Sequence, residues 1–378
     1  LAAPAARAVV ISPYYEVPNL KAPANDPGWT HVGRIDGGSA VYLGNRWVIT
    51  ANHVDTGNLR LADGRVLAES VGSSVRLKNT GTTIAPDLRM FRLAADPGLS
   101  AMSLATVAPG AGSLVTMIGA GVGREPELRG WQFNGSQWTE APVPDANVFG
   151  YELGSDNKMR WGLNIISSAS AFISQTGTRV FQTTFDKEGT TFEAQATTGD
   201  SGGGVFYQSN GSWQLAGLMI ATQPLSNQPS DTVMYGQRTY IADLASYRQQ
   251  IVDMMNRAEP LWQNQANNYD VNGSGGVNAR DLIVLINEIL GDGARNLTGS
   301  PTVSNEWLDV NGDYKLGTVD VQRVVNEILR ERAAARAASP LSALTEGDIR
   351  IVPEPASGLL ALAAGLLGLA AHRWLRRR

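Results

Sequence analysis

Residues 197–204 read TTGDSGGG. A serine between an aspartate and a run of glycines is either a turn residue or a nucleophile held where backbone and ligand approach closely. Turns are the commoner case, so the rest of the chain must decide. A serine hydroxyl attacks only when a base takes its proton, and the base works only when a third group orients it. Three histidines are present: His31, His53 and His372. His372 lies in an Arg-rich tail, and His31 follows the Pro/Gly-rich stretch PANDPGWTH (23–31). His53 ends GGSAVYLGNRWVITANH (37–53), directly after an apolar, strand-like run. A rigid strand end is where a scaffold presents a base. For the orienting acid, PDLRMFRL (86–93) places Asp87 just before an amphipathic strand, with Asp55, Asp63 and Asp96 as rivals.

The surroundings fit a β protein. From about residue 30 to 240 short apolar or alternating runs such as SLVTMIGAG (113–121) and WQLAGLMIAT (213–222) are broken by Gly, Pro, Asn and Asp. That spacing predicts an antiparallel barrel or sandwich. Residues 124–160, rich in Gly, Pro, Trp and Asn, read as long loops or an excursion, and IADLASYRQQIVDMMNRA (241–258) reads as a helix stopped by Pro260. Hydrophobic content of 43% supports a real core across 378 residues. A net charge of −4 gives no basic footprint for nucleic acid. The lack of cysteine excludes disulfides, thiolate zinc sites and a cysteine nucleophile.

GGSAVYLGNRWVITANH, PDLRMFRL and GDSGGG (199–204) occur in the order His, Asp, Ser and resemble the three core motifs of trypsin-like serine proteases. The resemblance covers roughly residues 30–255 and implies a double antiparallel β-barrel of chymotrypsin type. It implies His53 as general base, Asp87 as its orienter and Ser201 as nucleophile, with the amides of Gly199 and Ser201 forming an oxyanion hole. Counting back from Ser201 puts Gln195 at the floor of the primary specificity pocket, with Ile220, Ala221 and Thr222 along its wall. Gln195 carries no charge, so a preference for Arg or Lys is not implied. TANHV stands where the family has TAAHC, and no Ile-Val-Gly-Gly start is present. Asp200 is expected to be buried and to need a positive partner. Release of residues 1–8 would free Val9 for that role.

Beyond this region an acidic segment repeats. DVNGSGGVNARDLIVLINEIL (270–290) recurs 39 positions later as DVNGDYKLGTVDVQRVVNEIL (309–329). Each copy opens with a twelve-residue loop carrying oxygen ligands at alternating early positions, as Ca²⁺ requires. The first loop offers Asp270, Asn272, Ser274, the Gly276 carbonyl, Asn278 and Asp281; the second offers Asp309, Asn311, Asp313, the Lys315 carbonyl and Asp320. Tyr314 stands at the sixth position, where glycine suits the sharp turn. The helices that follow are each too short to stand alone and are expected to pair. Residues 266–331 resemble a dockerin domain. The resemblance implies two Ca²⁺ ions and a cohesin partner read by Ala279, Arg280, Thr318 and Val319.

Both ends read as processing segments. LAAPAARA (1–8) ends in an A-x-A pattern and reads as a signal-peptide remnant. VPEPASGLLALAAGLLGLAAHRWLRRR (352–378) joins Pro353-Glu354-Pro355 to an apolar run and a basic end. That pattern predicts a C-terminal transmembrane helix with the body of the chain on the exported side. The tail resembles the PEP-CTERM sorting signal, which implies processing by an exosortase and final placement at the cell surface or outside it. The expected organisation is therefore a protease domain (9–258), a linker (259–265), a dockerin domain (266–331), a second linker (332–351) and a sorting signal (352–378). The combined expectation is an exported serine endopeptidase acting on protein or peptide, with no catalytic metal. Two alternatives stand beside it: an inactive protease-like adhesion or assembly module, and a component of a polysaccharide-degrading complex recruited through docking.

Overall fold

The computed structural model describes residues 9–14, 19–256, 262–264, 266–297 and 307–338. The expected signal remnant, the sorting motif at Pro353, Glu354 and Pro355, and the expected transmembrane helix lie outside these residues. Among the described residues no helix is long and apolar enough to cross a membrane. The chain divides into two compact units, one of residues 1–69 and 74–257, the other of residues 70–73 and 258–378.

The first unit opens with β1 (Val10–Ser12). A half-barrel follows, built from β2 (Val32–Ile35), β3 (Gly38–Gly44), β4 (Trp47–Thr50), β5 (Leu59–Leu61), β6 (Val66–Leu67), β7 (Val75–Arg76) and β8 (Arg89–Arg92). Its strand order is β6-β5-β2-β3-β4-β8-β7, and an antiparallel bridge between Glu69 and Leu93 ties its two sides together. The apolar run SAVYLG is buried at every position of β3, because β3 is central and covered on both faces. The hairpin to β4 turns on Asn45 and Arg46, with φ of 49° and 66°. Two successive positive φ values match the strand twist, which is why Asn is favoured there. The turn leaves His53 three residues beyond the end of β4.

The second half holds β9 (Leu114–Gly119), β10 (Val122–Arg124), β11 (Arg129–Phe133), β12 (Trp138–Ala141), β13 (Val148–Asn157), β14 (Arg160–Ile173), β15 (Thr178–Thr184), β16 (Glu193–Gln195), β17 (Gly204–Ser209), β18 (Ser212–Gln223), β19 (Thr232–Met234) and β20 (Arg238–Asp243). Six of them close a barrel in the order β14-β15-β20-β18-β17-β9, with β9 returning to β14. β16 joins this sheet beside β14, and β1 adds to β16 antiparallel, with Val10 opposite Gln195. Val32, Val41, Ile49, Phe91, Ile118, Phe206 and Leu218 belong to one buried cluster, so the half-barrel and the barrel share a core.

Two expectations change. Residues 124–160 form ordered strands rather than long loops: β10 to β13, joined by β19, make a small antiparallel sheet with Trp131 and Tyr151 buried. The expected helix at 241–258 is also shorter. Residues 238–243 finish as β20, held between β15 and β18, and only then does a 3₁₀ turn (Leu244–Tyr247) lead into α1 (Arg248–Met255). Asp243 accepts a hydrogen bond from the Ala245 amide and so caps the turn, while cross-strand pairing holds the residues before it extended.

In the second unit, α2 (Ala279–Asp292) and α3 (Thr318–Ala338) pack together, as the repeat predicts, and β21 (Arg295–Asn296) pairs with β22 (Lys315–Leu316). Leu282, Leu285 and Ile289 of α2 meet Val321 and Val324 of α3 in one core with Val271, Val310 and Leu316. The spacing i, i+3, i+7 places the α2 residues on one face. Asn278 and Asp281 form a capping box at the start of α2, so the last residues of the first acidic loop also nucleate the helix.

Candidate active site and calcium loops

β4 ends at Thr50, and a turn closed by Val54 N–H on the Ala51 carbonyl presents His53. Asp87 lies two residues before β8, which pairs with β4, so the sheet brings the acid beside the base. The His53 Nδ1–H donates to Asp87 Oδ2 at 2.7 Å, and the His53 backbone N–H donates to Asp87 Oδ1 at 2.9 Å. Both carboxylate oxygens are thus committed to one residue, which fixes the ring and its tautomer. On the other side His53 Nε2 lies 2.9 Å from Ser201 Oγ. The Asp87 side chain is 7% exposed and that of His53 49%, so the chain of hydrogen bonds runs from the interior to the surface. The hydrogen bond to Asp87 holds the His53 pKa above its ordinary value, against the opposing effect of burial.

Two of the three rival acids do other work. Asp63 pairs with Arg65, and Asp96 accepts from Tyr42 and the Gly98 amide. A residue with no sequence signal supports Asp87: Thr178 Oγ1 accepts the Asp87 N–H at 2.9 Å, and Thr178 is fully buried.

Ser201 sits in a tight turn ahead of β17. Gly199 has φ of 90° and Gly202 of 86°, and a Cβ on Gly202 would fall 2.0 Å from the Ser39 carbonyl oxygen, so neither tolerates a side chain. Ser39 pins the turn twice: its N–H donates to the Ser201 carbonyl at 2.9 Å and its hydroxyl to the Gly199 carbonyl at 2.9 Å. The amides of Asp200, Gly202 and Gly203 donate to Thr197, Met219 and Asp200 carbonyls. The amides of Gly199 and Ser201 have no acceptor among the described residues. Two free donors flanking a nucleophile are what an oxyanion hole requires.

Asp200 is fully buried, and burial pushes its pKa up to about 7. Pulling the other way are the Thr197 and Gly121 amides, each donating at 2.8 Å, the Thr197 hydroxyl, and the charge of Arg160. Arg160 is 2% exposed and sits opposite Gly119, where a Cβ would meet Asp200 Oδ1. Of these pulls the Arg160 charge is the weakest, and the two amides are the strongest. Val9 is buried in the apolar cluster with Val115, Met117 and Ala194.

Of the residues assigned to the specificity pocket, Gln195 is fully buried, its amide donating to the Ala196 and Arg238 carbonyls at 3.2 and 3.4 Å. Ile220 is buried, while Ala221 and Thr222 are exposed.

In the acidic loops the expected ligands stand in one arrangement twice. Asp270 Oδ1 and Oδ2 accept the Ser274 and Gly275 amides, and Asp281 accepts those of Asn272 and Asn278. Asp309 accepts the Gly312, Asp313 and Tyr314 amides, and Asp320 those of Asn311 and Gly317. Asn272 and Asn311 turn their Oδ1 atoms to the amides of Ser274 and Asp313. At the sixth position Gly275 has φ of 88° and Tyr314 of 60°, so the second loop holds an aromatic residue in the conformation that favours glycine. Burial pushes Asp320 up to about 6, and Asp309 and Asp313 add to the rise. Asp309 is raised by burial as well. Among the described residues no three acidic or histidine side chains form a ready-made metal cluster. Amide, hydroxyl and main-chain oxygens from Asn272, Ser274, Gly276, Asn278, Asn311 and Lys315 would have to complete the shells. Buried, mutually repelling carboxylates within an all-oxygen donor set fit a hard divalent cation. Val319, one of the expected partner-reading residues, is 54% exposed. Arg280 and Thr318 are also exposed, and Ala279 is half-buried.

Comparisons with known proteins fall on both units. Residues 268–329 match the dockerin type I domain, and residues 352–377 match the PEP-CTERM protein-sorting motif. No curated protein matches the chain. Among solved structures, the chain is similar to an HtrA-type protease, AlgW, solved with a decapeptide, at 20% identity over 57% of this chain and 51% of that one, with a TM-score of 0.32. The match thus spans about half the length of that protease. It is also similar to neuropsin, a serine protease expressed in the limbic system of mouse brain, at 16% identity over 58% of this chain and 89% of that one, with a TM-score of 0.35.

Proposed function

We propose that this protein is an exported serine endopeptidase with a chymotrypsin-type double barrel, tethered through a calcium-loaded dockerin domain. The observation that carries the reading is the continuous hydrogen-bonded chain from Asp87 through His53 to Ser201, beside two amides without a protein acceptor. In the proposed reaction Ser201 Oγ attacks the scissile carbonyl carbon as His53 Nε2 takes its proton. Asp87 holds the imidazolium that forms. The Gly199 and Ser201 amides receive the negative oxygen, a contact worth about 3–4 kcal/mol per donor. His53 then protonates the leaving amine, and the C–N bond breaks to leave an acyl ester on Ser201. A water, deprotonated by His53, hydrolyses that ester, and the proton returns to Ser201.

Bound calcium would order the two loops and hold α2 against α3, with Asp270, Asn272, Ser274, Asn278 and Asp281 as side-chain ligands in one site and Asp309, Asn311, Asp313 and Asp320 in the other. The exposed residues at the starts of α2 and α3 would face a cohesin partner. The C-terminal motif would direct export and exosortase processing, leaving the protein at the cell surface or outside it. Substrate preference would be set along the exposed Ala221 and Thr222, with Gln195 and Ile220 buried, and none of the four offers a carboxylate to a basic side chain.

The test is labelling of the purified protein with an active-site-directed fluorophosphonate. Labelling of the parent and not of Ser201→Ala is expected. A folded parent that resists the reagent overturns the endopeptidase reading and favours the inactive binding module.

A further inference from the structure

Within the first unit, away from the nucleophile, lies a cavity of about 380 Å³. It is lined by Lys78, Asn79, Phe172, Arg179, Tyr247 and Gln250, with Thr80 and Thr82 at the loop that leaves β7. No acidic side chain is in the lining, and neither Lys78 nor Arg179 forms an ion pair with a described residue. Of the neutral lining residues, Asn79, Tyr247 and Gln250 spend their polar groups on the backbone and on each other, and Ser246 donates its hydroxyl to Asp243. Gln250 bonds Lys78 in both directions, accepting its N–H at 3.0 Å and donating to its carbonyl at 2.7 Å. The Tyr247 hydroxyl donates to Asn79 Oδ1 at 3.0 Å and accepts the Arg179 N–H at 3.3 Å. The walls are thus fixed by their neutral members, while the ammonium and guanidinium keep their donors. Lys78 and Arg179 are both exposed at this cavity, and an Arg fork and a Lys point charge lining one concavity suit a carboxylate. The volume is at the small end of ligand sites.

The same walls hold the catalytic acid. Asn79 Nδ2 donates to the Ile84 carbonyl at 2.8 Å and the Gly177 carbonyl at 2.6 Å, joining the segment that runs into Asp87 to the one that carries Thr178. Thr178 in turn receives the Asp87 N–H, and Arg179 follows it in the chain. A charge seated on Lys78 and Arg179 therefore bears on both segments that position Asp87.

We infer that this cavity is a binding site for a carboxylate group, coupled through Asn79 and Thr178 to the Asp87–His53 pair. The carboxylate comes either from a small free polycarboxylate or from an acidic side chain of a bound polypeptide. The binding claim rests on the cavity alone; the coupling to turnover rests on the endopeptidase reading. The test is calorimetric titration of the purified full chain with citrate at constant ionic strength. Saturable one-to-one binding is expected, weakened at least about ten-fold by Lys78→Gln and by Arg179→Gln, and unchanged by Arg65→Gln on the half-barrel. No saturable binding, or binding indifferent to the two cavity variants, overturns the site. The low-field NMR signal of the His53 Nδ1 proton reports coupling without any catalysis, so it remains informative should the protein prove inert. A shift at saturating citrate, absent in the doubly substituted chain, is expected; an unmoved signal at saturation overturns the coupling. Competition of an Asp-containing peptide, but not its Asn counterpart, with citrate identifies a polypeptide source, and its absence identifies a free anion.

Discussion

The GDSGG turn and the two acidic loops solve one problem in different ways. Each folds its backbone around a buried aspartate whose oxygens collect amide hydrogens: Asp200 in the turn, Asp270, Asp281, Asp309 and Asp320 in the loops. At Asp200 the chain also provides a cation, Arg160, buried in the same interior. In the second loop the charges that bear on Asp320 are other carboxylates, Asp309 and Asp313, which push it further up. A buried acid with an internal counter-charge can hold its fold unaided; buried acids surrounded by acids need a cation from outside. The nucleophile's turn is thus expected to be permanently set and the docking loops conditional.

The largest effect that could break this contrast lies at the triad. Asp87→Asn is expected to lower kcat by about 10⁴-fold with the fold intact. In the parent, the base works only when neutral, so activity should fall as pH drops through a His53 pKa held above the ordinary histidine value by Asp87. A peptide-hydrolysis pH profile with its acid limb at or below that ordinary value would contradict the geometry. Next is Arg160→Met. Removing this buried charge takes away one of the pulls that offset burial at Asp200, at a cost of about 1–3 kcal/mol in denaturant unfolding of the first unit. Fluorophosphonate labelling should fall in parallel, and an unchanged midpoint would show that Arg160 is not what sustains the turn.

Calcium removal sharpens the other side. Chelation should destabilise the second unit by about 2.7 kcal/mol per site relative to calcium at a hundred times its Kd. Labelling of Ser201 should be untouched, and equal loss in both units would erase the distinction. The smallest effect is local. Tyr314→Gly removes a left-handed tyrosine and should stabilise the calcium-free second unit by about 1 kcal/mol, read from its urea midpoint. A destabilised variant would mean that the ring's packing outweighs the strain.

The residue pattern carried much of this, unevenly. His53 and Ser201 were legible because a nucleophile, a base and their spacing recur as motifs. Asp87 was legible only as one of four acids, because a carboxylate before a strand is also an ordinary turn residue; the pairing of β4 with β8 singled it out. The candidate calcium ligands were legible because a loop that wraps an ion must place its oxygens at fixed local intervals. The start of α1 was misplaced, since residues 241–243 continue into a helical composition but are held extended between two strands. The sheet spanning residues 122–157 was hidden because its Gly- and Asn-rich turns outweighed the short strands between them.

What the sequence determined alone was whatever depends on neighbours along the chain: the motif order, the repeated loops, the need for two helices to pair and the tight turn at Gly199. What only the tertiary structure decided was whatever depends on groups far apart in sequence meeting in a low-dielectric interior. Thr178 finds Asp87 across 91 positions and Gly121 finds Asp200 across 79. Arg160, the first residue of a strand, bears on the charge of a turn because β14 lies against β9. No local pattern encodes such meetings, because burial sets the electrostatic worth of each contact and burial is a property of the whole fold.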